Sequence, residues 1–270
     1  MDSRNPVLNR EFSAPQLATF HEPPPTAAQL QEMYDGPTGT STTTRMTLDD
    51  VVVRSGVLFV VLIAGAFAGW QLVERAAWVV WVCAIIAFGL ALAATFTREA
   101  KPALILLYAV FEGLFLGGIS RWYDVYVAAV KGTQTGIVMQ AIIGTLVAFG
   151  VMLALYSSGR LRATPRFQKI MLIALFSYGG IALVSLIGAI FGLGGGWGFY
   201  GVGTLGLALC VVGVALAAFT LVLDFDAIQK GVEAGLPERE SWRAAFGLMV
   251  TLVWLYLELL RFLAILNSRN

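Results

Sequence analysis

The sequence predicts an all-α integral membrane protein that crosses the bilayer seven times. Of 270 residues, 58% are hydrophobic and 13% charged, and the mean hydropathy is +0.77. Soluble domains carry about a quarter charged residues, so this chain has too little polar surface to dissolve as a globule. Apolar runs near the ~20 residues needed to cross ~30 Å of hydrocarbon also follow one another with little interruption. These runs predict spans at 55–73, 77–96, 102–120, 137–157, 170–192, 201–225 and 245–266.

Residues 1–45 are rich in Pro, Thr, Gln and Glu, as in HEPPPTAAQLQEMYDGPTGTSTTT, and hold no apolar stretch able to pack. They predict a disordered cytosolic tail, which leaves residues 46–270 as the membrane domain. The tail has no basic start, apolar middle or small-residue cleavage site, so the first span is expected to target the chain. At RMTLDD, Thr47 and Asp50 have capping-box spacing, which predicts a helix start there. The connection around Glu74 and Arg75 is so short that the first two spans read as an antiparallel hairpin.

Lys and Arg near the span ends set the orientation. With the N-terminus inside, the inner segments hold Arg45, Arg54, Arg98, Lys101, Arg160, Arg162, Arg166, Lys169, Lys230, Arg239 and Arg243. The outer segments hold Arg75, Arg121, Lys131 and Arg269. The loop GLGGGWGFYGVG, residues 192–203, is uncharged and falls outside; with no strand before it and no Lys-Ser/Thr after it, it reads as a flexible connector and not a phosphate cradle. Small residues four apart, Gly113 with Gly117 and Gly188 with Gly192, predict close helix approach and a compact bundle.

Several function classes are disfavoured. A net charge of +1, from 18 basic and 17 acidic residues, argues against nucleic acid as a partner. Cys83 and Cys210 lie in apolar runs, where thiols pack as small hydrophobes. His21 is the single histidine and stands in the tail, which disfavours a zinc site or a Ser-His-Asp triad. The spans show no acid pair in a GxGD context, and no lysine in the seventh span could form a retinal Schiff base.

Charges inside hydrocarbon cost about 2.5 to 3.5 kcal/mol each on insertion scales, so each is a functional candidate. Five qualify: Glu112, Asp224, Asp226, Glu258 and Arg261. Glu112, near half depth, reads either as a cation-coordinating or protonatable acid or as a neutral acid bonded to a neighbouring helix. Glu258 and Arg261, three apart, read first as a self-neutralising pair. They belong to a polar and small stripe, Gly247, Thr251, Trp254, Glu258 and Arg261, that suits a helix at the centre of a bundle. Asp224 and Asp226 are about 200° apart around a helix and cannot both face one cavity. Spacing turns Asp224 inward, on a face with Gly213, Ala217 and Thr220, and gives Asp226 to Lys230 four residues on.

Taken together, the EG of the third span (Glu112, Gly113), the FD of the sixth (Phe225, Asp226) and the L-L-R-F of the seventh (Leu259 to Phe262) resemble the Bax inhibitor-1 / YccA family, the TMBIM proteins. With RMTLDDVVVRSG, KPALILLYAVFEG, RATPRF and LVWLYLELLRFL, the resemblance covers residues 46–266 and looks closest to the long bacterial subgroup. It implies six helices around a central seventh, a multi-pass protein of the bacterial inner membrane, and pH-sensitive calcium leak. It also implies that Asp226 is the inner acid, sharing a proton with an acid of the seventh helix. The matching position is Thr251, so this chain departs from the pattern. A shared proton raises one pKa of a pair, and without a second acid that switch loses its basis.

The expectation is therefore a passive calcium or cation leak through Asp226, Asp224 and Glu112, with Glu258 and Arg261 on the pathway's polar face. No cofactor is expected beyond transported calcium, for which the three acids are the candidate oxygen ligands. The alternative is a non-transporting regulator of a membrane protease or other membrane partner, with the tail as its handle.

Overall fold

A computed structural model of the protein describes residues 26–27, 44–133, 136–192, 198–201 and 203–269. Thr44–Asn270 forms one compact unit. Seven helices long and apolar enough to cross a membrane make it up: α1 (Leu48–Leu72), α2 (Trp78–Phe96), α3 (Pro102–Lys131), α4 (Ile137–Ser157), α5 (Pro165–Ile190), α6 (Thr204–Glu233) and α7 (Glu240–Arg269). A 3₁₀ turn, Gly198–Tyr200, lies between α5 and α6.

Several helices outrun their apolar cores, because polar residues at the ends are locally satisfied. α1 begins at a capping box in which Thr47 Oγ1 accepts from Asp50 N–H at 3.1 Å and Asp50 Oδ2 accepts from Thr47 N–H at 3.1 Å. Beyond residue 120, α3 continues through RWYDVYVAAVK, because Arg121 and Asp124 pair at 3.6 Å and Val127 stays fully buried. Gly132, at φ 71°, ends it in the left-handed conformation that glycine adopts without strain. α5 opens on Pro165, with Thr164 Oγ1 accepting from Phe167 N–H.

The tightest helix pair is α1 with α3. A methyl at Gly65 would lie 2.9 Å from Val110 O and 3.2 Å from Gly113 Cα, and one at Gly117 would run into Ala66 O. Glycine on both faces brings the backbones into contact, as close packing in lipid requires. The expected α1–α2 hairpin is not formed as a packing pair; α3 packs against both instead, since the glycine faces sit on α1 and α3. Gly192 departs from expectation too, standing beyond the end of α5 at φ 79°.

The seventh helix is the central one. In α7, 61% of the apolar window is buried, against 17–39% in the other six, and it packs on α1, α3, α4 and α6. Met249, Leu255 and Leu260 are wholly enclosed along it. At the basic end, Met46 N–H donates to Leu236 O at 2.8 Å and Glu238 N–H to Thr44 O at 2.7 Å, while the Arg54 guanidinium bonds the Glu238 carboxylate and carbonyl. Thr44 and Arg45, assigned to the tail from composition, are therefore tied to the α6–α7 connection. Most of the remaining tail expectation, like residues 193–197 and 202 of the glycine-rich loop, lies outside the described residues.

Candidate functional site

The polar stripe of α7 organises the intramembrane charges into two levels, about 10 Å apart along the helix, since Thr251 and Glu258 are seven residues apart at 1.5 Å each. The level nearer the C-terminus holds Glu258, whose side chain is 7% exposed, and Arg261. Their nearest atoms, Oε2 and Nη2, lie 3.0 Å apart as an ion pair without hydrogen-bond alignment. Glu258 Oε1 accepts from Tyr178 of α5 at 2.6 Å and from Trp254 Nε1, one turn back on α7, at 3.2 Å. Arg261 Nε donates to Cys210 Sγ of α6 at 2.8 Å, and its guanidinium lies 4.2 Å above the Tyr200 ring. Gly213 makes room for this arrangement: a methyl there would sit 2.6 Å from Glu258 Cδ and would collide with the Tyr178 hydroxyl.

Burying both charges is tolerable only when each is paired and further hydrogen-bonded, which Tyr178, Trp254, Cys210 and Tyr200 accomplish. The Glu258–Arg261 spacing and Trp254 on the same stripe were legible in the sequence, whereas Tyr178, Cys210 and Tyr200 were not. Cys210 is a buried free thiol that serves as an acceptor as well as filler. The 3₁₀ turn that delivers Tyr200 is pinned by Phe199 N–H donating to Ser185 Oγ at 2.9 Å, so this part of the glycine-rich loop belongs to the site and is more than a connector.

Nearer the basic end, Asp224 of α6 faces Thr251 of α7. Its Oδ2 is sealed from solvent and has no hydrogen-bond partner among the described residues. Asp226 is turned elsewhere. It receives Lys230 Nζ at 2.6 Å and Gln168 Nε2 at 3.2 Å, on the wall of a cavity of about 610 Å³ at the basic end. Asp226, the acid to which the resemblance points, is thus turned toward Lys230 and Gln168, and the residue opposite Thr251 is Asp224. The cause is helical, since two residues of offset rotate a side chain by about 200°.

Glu112 lies about 15 Å into α3, with Tyr108 one turn earlier as its polar neighbour. Tyr108 in turn meets Phe246 of α7 edge to face at 5.1 Å. The three acids do not form a common cage: among the described residues no group of three or more His, Cys, Asp or Glu comes together. A cation at any one of them would be held by a single carboxylate with hydroxyl, carbonyl or water oxygen, which suits passage better than retention.

Comparison with known proteins adds one match. No curated protein matches the chain. Residues 5–268, almost its full length, match the family model described as Bax inhibitor 1 like. With seven membrane-crossing helices and a match of that extent, the chain belongs to the Bax inhibitor 1 like family.

Proposed function

We propose that the protein is a passive cation leak, with calcium as cargo, in a bacterial inner membrane and with its basic end in the cytosol. The observation that carries this reading is Asp224, a carboxylate about 14 Å inside the basic end of α6, with one oxygen sealed and without a hydrogen-bond partner among the described residues, beside the central helix. Buried polar atoms are normally satisfied, and a carboxylate oxygen left over inside the membrane is met by a proton, water or a cation. Glu112 offers a second carboxylate on another wall of the bundle, and Asp226 a third at the mouth. The Glu258–Arg261 level, neutral as a pair and packed against Tyr178 and Tyr200, acts as the closed outer half of the path. With one acid opposite Thr251, the pH response expected is loss of flux as Asp224 takes up its proton.

Calcium entry into proteoliposomes loaded with a fluorescent indicator tests this. Wild-type vesicles should fill faster than protein-free ones, and Asp224→Asn should slow filling at least about tenfold, the effect of about 1.4 kcal/mol. Filling no faster than in empty vesicles, or unchanged in Asp224→Asn, Asp226→Asn and Glu112→Gln, would defeat the proposal. A regulator of a membrane partner is the second reading, favoured by the fixing of Thr44–Met46 to the connection that feeds the central helix. Deletion of residues 2–44 separates the two, because a leak keeps its flux and a regulator loses its phenotype.

A further inference from the structure

We propose that the cavity between the α4–α5 connection and the end of α6 binds the phosphate headgroup of an anionic phospholipid. At about 610 Å³ it has the size of a small-ligand site, and Tyr156, Arg162, Thr164, Gln229 and Lys230 are among the residues that line it. Of its two acids, Asp226 is matched by Lys230 at 2.6 Å, and Glu233, which is exposed, accepts from the neutral amide of Gln229 at 2.8 Å.

The cations of the α4–α5 connection and the start of α5, of which Arg162 lines the cavity, have no acid matched to them among the described residues. Arg160, Arg162, Arg166 and Lys169 are exposed, and among the described residues none has an ion-pair partner. Arg166 also sits in the first turn of α5, which carries no acid, although the positive end of the helix dipole disfavours a cation there. A phosphate diester would offset both the unmatched charge and the dipole.

The hydrocarbon side favours a lipid as the source of the phosphate. Directly after this cluster, α5 presents Ile170, Ile173 and Phe176 at 65%, 57% and 75% exposure, an apolar flank along which acyl chains can lie. A lipid can occupy the headgroup site and this flank together, whereas a free phosphate can occupy the site alone.

Native mass spectrometry of the full-length protein, released from vesicles of phosphatidylglycerol and phosphatidylcholine, tests the site. Phosphatidylglycerol should be retained in preference to phosphatidylcholine. Arg162→Gln and Arg166→Gln should each weaken that retention about fivefold, the share of one basic residue near an anionic surface. Arg162→Lys, which keeps the charge, and Lys131→Gln, at the opposite end of the bundle, should retain lipid like the wild type. Because these side chains are exposed, the variants should keep the wild-type melting temperature. Equal retention of the two lipids, undiminished retention in both glutamine variants, or complete stripping of phosphatidylglycerol by excess inorganic phosphate would overturn the proposal.

Discussion

Gly213→Ala is the sharpest probe of the buried Glu258–Arg261 level. The added methyl would lie 2.6 Å from Glu258 Cδ, where ordinary contact starts near 3.4 Å, so the carboxylate must move by about 0.8 Å. A shift of that size lengthens the 2.6 Å bond from Tyr178 to about 3.4 Å, beyond useful hydrogen-bond range. A hydrogen bond to a charged group contributes about 1.5–3 kcal/mol, and replacing a helical glycine by alanine returns about 0.5–1 kcal/mol. The expected net loss is about 1–2 kcal/mol. At about 2–4 °C per kcal/mol, that lowers the melting temperature by about 2–8 °C. Thermal unfolding in detergent measures it, with Gly150→Ala as control, since a methyl at Gly150 meets nothing within 4 Å. In a Tyr178→Phe background the bond is already absent, so Gly213→Ala should cost less by about 1 kcal/mol or more. Equal costs in both backgrounds, or a melting temperature unchanged by Gly213→Ala, would refute the packing account of this level.

Two further outcomes are expected. Gly117→Ala drives a methyl into the Ala66 carbonyl of α1, and because backbone cannot step aside as a side chain can, it should lower the melting temperature more than Gly213→Ala does. Thr47→Ala removes one half of the α1 capping box and should cost about 1 kcal/mol, seen as faster amide exchange in the first turn of α1.

Asp224 and Asp226 show how far reading the chain can go. Their two-residue spacing alone says that one faces protein and the other does not, and the small residues Gly213, Ala217 and Thr220 along one face select Asp224. Family resemblance points to Asp226. The structure gives Asp224 to Thr251 and Asp226 to Lys230 and Gln168. Glu258 and Arg261 were legible as a pair for the same local reason, being three apart on one helix. Their partners Tyr178, Cys210 and Tyr200 come from other elements, and no spacing along the chain connects them. Gly213 was a faint signal, a residue without a side chain on the same face as Asp224 and three turns before it.

The seven spans, the capped start of α1 and the charges Glu112, Asp224, Glu258 and Arg261 within the spans were legible in the sequence alone, whereas buried Asp124, past the expected end of the third span, was not. The polar and small stripe of α7 had already placed that helix at the centre, and only the tertiary structure decided that α3, not α2, is the partner of α1, and which atoms meet Glu258, Arg261 and Asp224. The division has a physical cause. In hydrocarbon each helix satisfies its backbone within its own segment, so length and polarity suffice to specify it. Rotation and register between helices depend on how closely their faces can approach, and that is settled by contacts between residues far apart in the chain.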